Sequence, residues 1–205
     1  MTANVEFSAS DLSATELYKL LTGAVVPRPI AWVSTRSETG GLNLAPFSFF
    51  NAVCADPPTL MVSVGSRDDG RPKDTALNAR ATGQFVINVT TEEVVEAMNA
   101  TAVDAPPGED EFRLVGLTPA PSSVVAPPRV AESPVSFECR LAQTLSIGPN
   151  TLLFGEVLHL HVRDDVYLPH HKIDALALRP VGRLSGPQYA RVQEVFSIAR
   201  PKWGD

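Results

Sequence analysis

Long apolar runs are missing from this chain. Nowhere do more than four residues of the hydrophobic set stand in a row, against the ~20 that a bilayer-spanning helix requires, so a soluble protein with no membrane partner is expected. Net basic charge is missing too. Seventeen Lys and Arg face 23 Asp and Glu, a formal charge of −6, which argues against a dedicated nucleic-acid binder but leaves room for a local phosphate site. Cysteine is scarce: Cys54 and Cys139 make neither CxxC nor a zinc spacing, so two inert, mostly buried thiols in a reducing, cytoplasmic setting are expected. The Asn-x-Thr triplets at Asn88 and Asn99 then carry no glycan. The first eleven residues include Glu6 and Asp11 and lack a basic start or an apolar core, so no signal peptide is expected. GxGxxG, GxxxxGK[ST], GxSxG and HExxH are all absent, which removes the standard nucleotide folds, the nucleophile elbow and the zincins.

What is present is enough chain for one domain, 205 residues that are 44% hydrophobic, taken as a single unit over 1–205. Its 18 prolines, roughly 9% against a usual ~5%, favour many short elements bounded by turns over a helical bundle. Ser13 and Glu16 have capping-box spacing before a helix over Ser13–Leu21 that Gly23 can end, and Thr90 with Glu93 repeats that spacing before a helix over about 90–99. Thr75–Thr82, stopped by Gly83, fits a third helix. Strands are predicted at Ile30–Thr35, Leu44–Val53, Thr59–Val64 and Phe85–Val89, and the strongest hairpin signal joins Val135–Ile147 to Thr151–Val162 through Gly148-Pro149-Asn150. In the last strand Phe154, Leu158, Leu160 and Val162 share one period-2 face and His159, His161 and Arg163 the other, so the first face is expected to pack and the second to be wet. The Pro-rich stretch 101–134 reads as an irregular surface loop or lid. Together these predict a mainly β, largely antiparallel barrel or sandwich with short helices.

Three constellations could carry chemistry. SRDDGRPKDT (Ser66–Thr75) leaves a strand and opens a helix with Asp74 or Thr75 at its cap. The helix N-terminus, Arg67, Arg71, Lys73 and the Thr75 hydroxyl suit a monophosphate, or the segment is a solvated turn whose cations offset Asp68, Asp69 and Asp74. The stretch Asn43–Asn51 mixes three Phe with Ser and two Asn, which suits a planar heteroaromatic ligand or a bent core strand. His159, His161, His170 and His171 with Asp164, Asp165 or Asp174 allow a metal site or simply a wet strand face.

VVPRPIAWVST (Val25–Thr35), NLAPFSFFNAV (Asn43–Val53), DPPTLMVSVG (Asp56–Gly65), KDTALNARATGQFVINV (Lys73–Val89), PPRVAESPVSFECRL (Pro127–Leu141) and PVGRLSGPQYARV (Pro180–Val192) together resemble the flavin reductase-like, FMN-binding split-barrel family, in order, over about Leu17–Pro201. The resemblance implies a split β-barrel of about six strands with Greek-key character, a homodimer, and FMN near the dimer interface. It puts the isoalloxazine against Phe47, Ser48, Phe49, Phe50 and Asn51, and the phosphate near Arg28, Lys73, Asp74 and Thr75. It brings Arg183 and Tyr189 towards the pocket mouth, from the same subunit or from the other. No catalytic acid or base is implied, since the flavin carries the redox chemistry. The activity implied is NADH- or NADPH-dependent reduction of flavin, with a monooxygenase or another electron acceptor downstream. The alternative is an FMN-containing electron carrier that serves a protein partner without a nicotinamide site. A GDH-like histidine motif that many free-flavin reductases carry near the C-terminus is not found.

Overall fold

The computed structural model describes residues 2–204. Ser13 caps helix α1 (Ala14–Ala24): its hydroxyl accepts from the Glu16 N–H at 3.3 Å and the Glu16 carboxylate accepts from the Ser13 N–H at 2.8 Å. Both halves of the capping box are therefore made, and the helix runs through Gly23 to Ala24. Strands β1 (Ala31–Arg36) and β2 (Leu42–Phe47) form the predicted hairpin across the turn at 37–41, with Arg36 opposite Leu42 and Ala31 opposite Phe47. The apolar run before that turn is continuous because β1 is buried on both faces. Ala31 and Val33 enter one core with Val62, Ile87 and Leu153, while Ile30 and Trp32 enter a second with Leu44, Met98 and Phe112.

The main sheet has seven strands, not about six, and it is not closed. β3 (Phe50–Ala55), β4 (Pro58–Val64), β5 (Gln84–Val89), β6 (Val135–Ile147) and β7 (Asn150–Val162) complete the order β2-β1-β5-β6-β7-β4-β3, antiparallel at every contact. The single strand expected over Leu44–Val53 is broken at Ser48-Phe49, and its halves lie on the two opposite edges. Laid flat, those edges would stand six spacings of ~4.8 Å apart, about 29 Å, whereas two intervening residues span at most about 11 Å. The sheet must therefore curl until its edges nearly meet, and Ser48 and Phe49 cross the seam.

Helix α2 (Asp74–Thr82) ends at Gly83, whose φ of 70° is the left-handed C-cap expected of a glycine; its N-cap is Lys73 rather than Asp74 or Thr75. Helix α3 (Val95–Ala100) starts later than the Thr90/Glu93 spacing predicts. The Thr90 carbonyl accepts from the Val181 N–H and Thr91 pairs with Pro180, which commits that backbone to strand-like pairing with β8 (Val181–Arg183). Strand β9 (Tyr189–Arg191) pairs antiparallel with β8. The stretch 101–134 is more than a surface excursion, because it holds helix α4 (Glu111–Val115) and inserts Phe112 and Val130 into the second core. Asn88 is buried between β1, β6 and this stretch, donating to the Trp32 carbonyl and accepting from Val130 N–H and the Ser136 hydroxyl.

The packed face of the β6–β7 hairpin is opposite to the one the periodicity favours. Leu153, Gly155 and Val157 face the core, whereas Leu158 is exposed and Leu160 is 54% exposed. Register shifts at Glu138/Cys139 and Leu141/Gln143 interrupt the simple alternation along the hairpin. Cys139 is buried, and burial pushes its thiol pKa up, but Cys54 lies exposed on β3 and is not the buried thiol expected. Among the described residues no helix is long and apolar enough to cross a membrane.

Gly155 is a close-packing point, since a Cβ there would overlap the Phe85 ring and stand 3.0 Å from Cys139 Cβ. Gly155→Ala should destabilise the protein by about 1–3 kcal/mol in urea unfolding, and an unchanged midpoint would contradict this packing.

Candidate functional site

Cavities line the seam in sequence. The first, of about 60 Å3, lies at the start of α2 and is bordered by Asn43, Phe47, Lys73, Asp74, Thr75 and the segment Thr101–Ala105. It has space for on the order of four water-sized groups at the ~10–15 Å3 each needs. Thr75 is buried, and its hydroxyl accepts from Asn43 Nδ2 at 2.9 Å. The Asp74 carboxylate turns away, accepting from the Gly108 N–H at 3.0 Å and pairing with Arg67 at 3.3 Å. Arg67 also reaches Asp104 at 3.3 Å and the Ala105 carbonyl at 2.9 Å, so it neutralises two acids and holds the 104–105 backbone down. Trp32 anchors the beginning of that cover, its indole N–H donating to the Thr101 hydroxyl at 2.9 Å. What remains to meet a ligand is the Lys73 ammonium, the Thr75 hydroxyl proton and the first N–H groups of a nine-residue helix. Arg71 is not part of the set; it pairs with Asp69 at the exposed turn.

Glu111 borders the same cavity from α4 and is only 7% exposed. Its carboxylate accepts from the Leu44 N–H at 2.9 Å, which covers an otherwise open donor on the edge strand β2. Burial pushes its pKa above the ordinary 4.5, and the Leu44 N–H acts in the opposite sense.

A second cavity, of about 400 Å3, shares Pro46, Phe47 and Ala102 with the first and opens beside Ser48, with Tyr18, Arg28, Arg183 and Tyr189 around it. Arg183 lies 4.6 Å over the Tyr189 ring and donates to the Tyr189 hydroxyl and the Gly186 carbonyl; that hydroxyl in turn donates to Asn99 Oδ1 at 2.8 Å. A third cavity, of about 420 Å3, lies beyond Arg28 and Ser48 and is lined by Phe49, Phe50, Asn51 and apolar side chains of α1 and β4.

The sequence-predicted residues thus divide. Lys73, Asp74 and Thr75 meet at the small cavity; Phe47, Ser48, Arg183 and Tyr189 meet at the large one; Phe49, Phe50 and Asn51 face the third. Arg28 does not join the Lys73 cluster. It stands between the two larger cavities with its guanidinium on the carbonyls of Thr22, Val25 and Leu184 and on the Ser48 hydroxyl. Sequence reasoning missed Tyr18 and Glu111 as lining residues, and it put Asn43 in the stretch suited to a planar ring, whereas Asn43 lines the small cavity. Glu111 meets β2 across 67 positions of sequence, which no local signal announces. The histidines stay apart from this region: His161 Nε2 lies 2.6 Å from the buried Glu138 carboxylate, which also accepts from the N–H groups of Ser123, Val124 and Val125. Among the described residues no group of three His, Cys, Asp or Glu could hold a metal ion.

Known proteins share both the sequence pattern and the fold of this chain. The family model described as the flavin reductase like domain matches residues 23–176. An uncharacterized protein of Halalkalibacterium halodurans is 44% identical over 203 residues, covering 96% of this chain and 97% of that one. The crystal structure of nitrilotriacetate monooxygenase component B from Bacillus cereus superposes with a TM-score of 0.93 at 38% identity, covering 97% of this chain and 100% of that chain. A Shewanella frigidimarina protein with a split barrel domain shares the fold, with a TM-score of 0.85 at 21% identity over 97% of this chain and 100% of that chain.

Because burial raises the Glu111 pKa, the folded state binds that proton more tightly than the unfolded state, and stability is lost as pH rises above the ordinary 4.5. Glu111→Gln keeps an acceptor for Leu44 N–H and removes the loss. Relative to wild type its stability should improve as pH rises above the ordinary 4.5, by about 1.4 kcal/mol for each unit by which burial raises the carboxyl, in urea unfolding. A difference that stays flat with pH would contradict the assignment.

Proposed function

The chain belongs to the flavin reductase-like family, and from that premise we propose that it binds FMN and reduces it with NADH or NADPH. The observation that carries this reading is the pair of adjoining cavities, a small donor-lined one at the α2 N-terminus and a 400 Å3 chamber flanked by aromatic rings, which match a single phosphate and a planar ring in size and chemistry. The donor set fits the group. Lys73, the Thr75 hydroxyl and the first N–H groups of α2 hold the phosphate, and Asp74 contributes through its backbone while its carboxylate secures Gly108. Phe47 and Pro46 form the passage between the two cavities, and Ser48 stands at the ring edge with Arg183 and Tyr189 at the mouth. Bound FMN supplies hydride acceptance at N5 and electron delivery to an acceptor. The protein's own part is to bind, orient and shield, with no acid–base pair needed for hydride transfer.

A second copy of the chain completes the molecule in this reading. β3 is exposed from Asn51 to Ala55, with Val53 53% exposed, and Leu158 and Leu160 extend the apolar surface on β7. A homodimer covers such surface, with the third cavity at its edge. The kinship with a monooxygenase component supports a monooxygenase as the electron acceptor. An exposed unpaired Cys54 fits a reducing compartment, the cytoplasm.

Purified protein should bind FMN more tightly than FAD, and anaerobic NADH or NADPH should bleach the bound flavin. Flavin that binds but resists both nucleotides would make the protein an electron carrier instead. Lys73→Ala should weaken FMN by roughly 10- to 150-fold, the loss of one charge-assisted contact of about 1.5–3 kcal/mol, without lowering the unfolding midpoint; unchanged affinity in calorimetry would move the phosphate elsewhere. Sedimentation at micromolar concentration should show a dimer.

A further inference from the structure

The chamber beside Ser48 is bordered by two positive charges and no negative one. Neither Asp, Glu nor His lines it, although the chain as a whole carries a formal charge of −6. Arg28 is 6% exposed, and among the described residues no carboxylate pairs with it. Its Nη1 donates to the carbonyls of Thr22 at 2.6 Å and Val25 at 2.8 Å, its Nη2 to the Leu184 carbonyl at 2.9 Å, and its Nε to the Ser48 hydroxyl at 3.4 Å. Thr22 lies in the last turn of α1 and Val25 is its C-cap, where carbonyls left open by the helix end carry the negative end of its dipole. These neutral groups hold the guanidinium in place without cancelling its charge. Arg183, the other cation of the chamber, is likewise bound only to a hydroxyl, a carbonyl and an aromatic face. A buried cation left uncompensated is costly, and the cost falls when negative charge arrives beside it.

Ser48 transmits that charge. By accepting from Arg28 Nε, its oxygen leaves the hydroxyl proton free to donate into the chamber. Resting on the FMN reading above, we propose that Arg28 is a positioning residue whose buried, unpaired charge, relayed through Ser48, makes the chamber selective for the reduced anionic form of the flavin. Oxidised flavin is neutral at the ring and reduced flavin anion carries its charge there, so only the latter gains from the two cations. Arg28 therefore has no part in holding the phosphate. The titratable and charged groups facing this chamber are Arg28, Arg183, Tyr18 and Tyr189.

The test compares dissociation constants for oxidised FMN and for anaerobically reduced FMN in wild type, Arg28→Lys and Arg28→Gln. Wild type should favour the reduced form. Arg28→Gln should lose about tenfold of that preference, equivalent to about 30 mV for a two-electron couple, while Arg28→Lys retains most of it. A role confined to clamping α1 would lower the melting temperature of both variants and leave the ratio unmoved, and that result overturns the proposal. Should Arg28→Gln fail to fold, wild type decides the matter. Its bound reduced FMN should keep the anionic absorbance spectrum at least one pH unit below the point where free reduced FMN protonates, and protonation at the same pH overturns the proposal. Wild type that binds neither form of FMN removes the flavin reading and this inference together, an outcome distinct from an unchanged ratio.

Discussion

Two residues must join the two edges of a seven-stranded sheet. Ser48 and Phe49 link β2 to β3, and because they reach about 11 Å at most, the sheet has to curl into the split barrel shared with the Shewanella frigidimarina protein. The rest of the architecture follows from that closure. The curled sheet encloses one core around Val33, Val62 and Ile87, while the outer face of β1 and β2 needs a separate cover, which α3, α4 and the Pro-rich stretch supply through Met98, Phe112 and Val130. The seam itself is where backbone pairing is interrupted, and there the cavities open.

The mainly β character, the β1–β2 and β6–β7 hairpins and the helices after Ser13 and before Gly83 were legible from turn residues, caps and β-branched runs, because these are local signals. The break at Ser48-Phe49 was not, since Phe-Ser-Phe-Phe contains no turn-forming residue other than Ser. Only closure of the whole sheet demands a break there. The inverted face of β7 was hidden for a related reason. Burial of Leu153, Gly155 and Val157 depends on which side of the curl becomes the inside, and exposure of Leu158 and Leu160 leaves apolar side chains where a period-2 reading expects a core. The delayed start of α3 reflects a strand-like contact with Pro180 and Val181, about 90 residues downstream in sequence.

At the site, the segment carrying KDT could be placed at a helix start from its spacing, and the Asn43–Asn51 block could be marked as unlike an ordinary strand. Their joining into one continuous site came from the fold, through the shared walls Pro46 and Phe47. Arg28 shows the limit of reading a cation by its type. The resemblance puts it near the phosphate, whereas in the structure its fork donates to the carbonyls of Thr22, Val25 and Leu184 and borders the cavity beside Ser48. Glu111, which borders the small cavity, and Trp32, which anchors Thr101 beside it, make contacts 67 and 69 positions long.

The proposed FMN site runs along the seam, with the phosphate at the start of α2 and the ring beside Ser48. A crystal structure of the protein soaked with FMN tests this most directly. Phosphate density is expected within hydrogen-bond distance of Lys73, Thr75 and the first N–H groups of α2, with the ring in the chamber between Phe47 and Tyr189. Flavin density confined to any other cavity, or a phosphate held by Arg28, would contradict it.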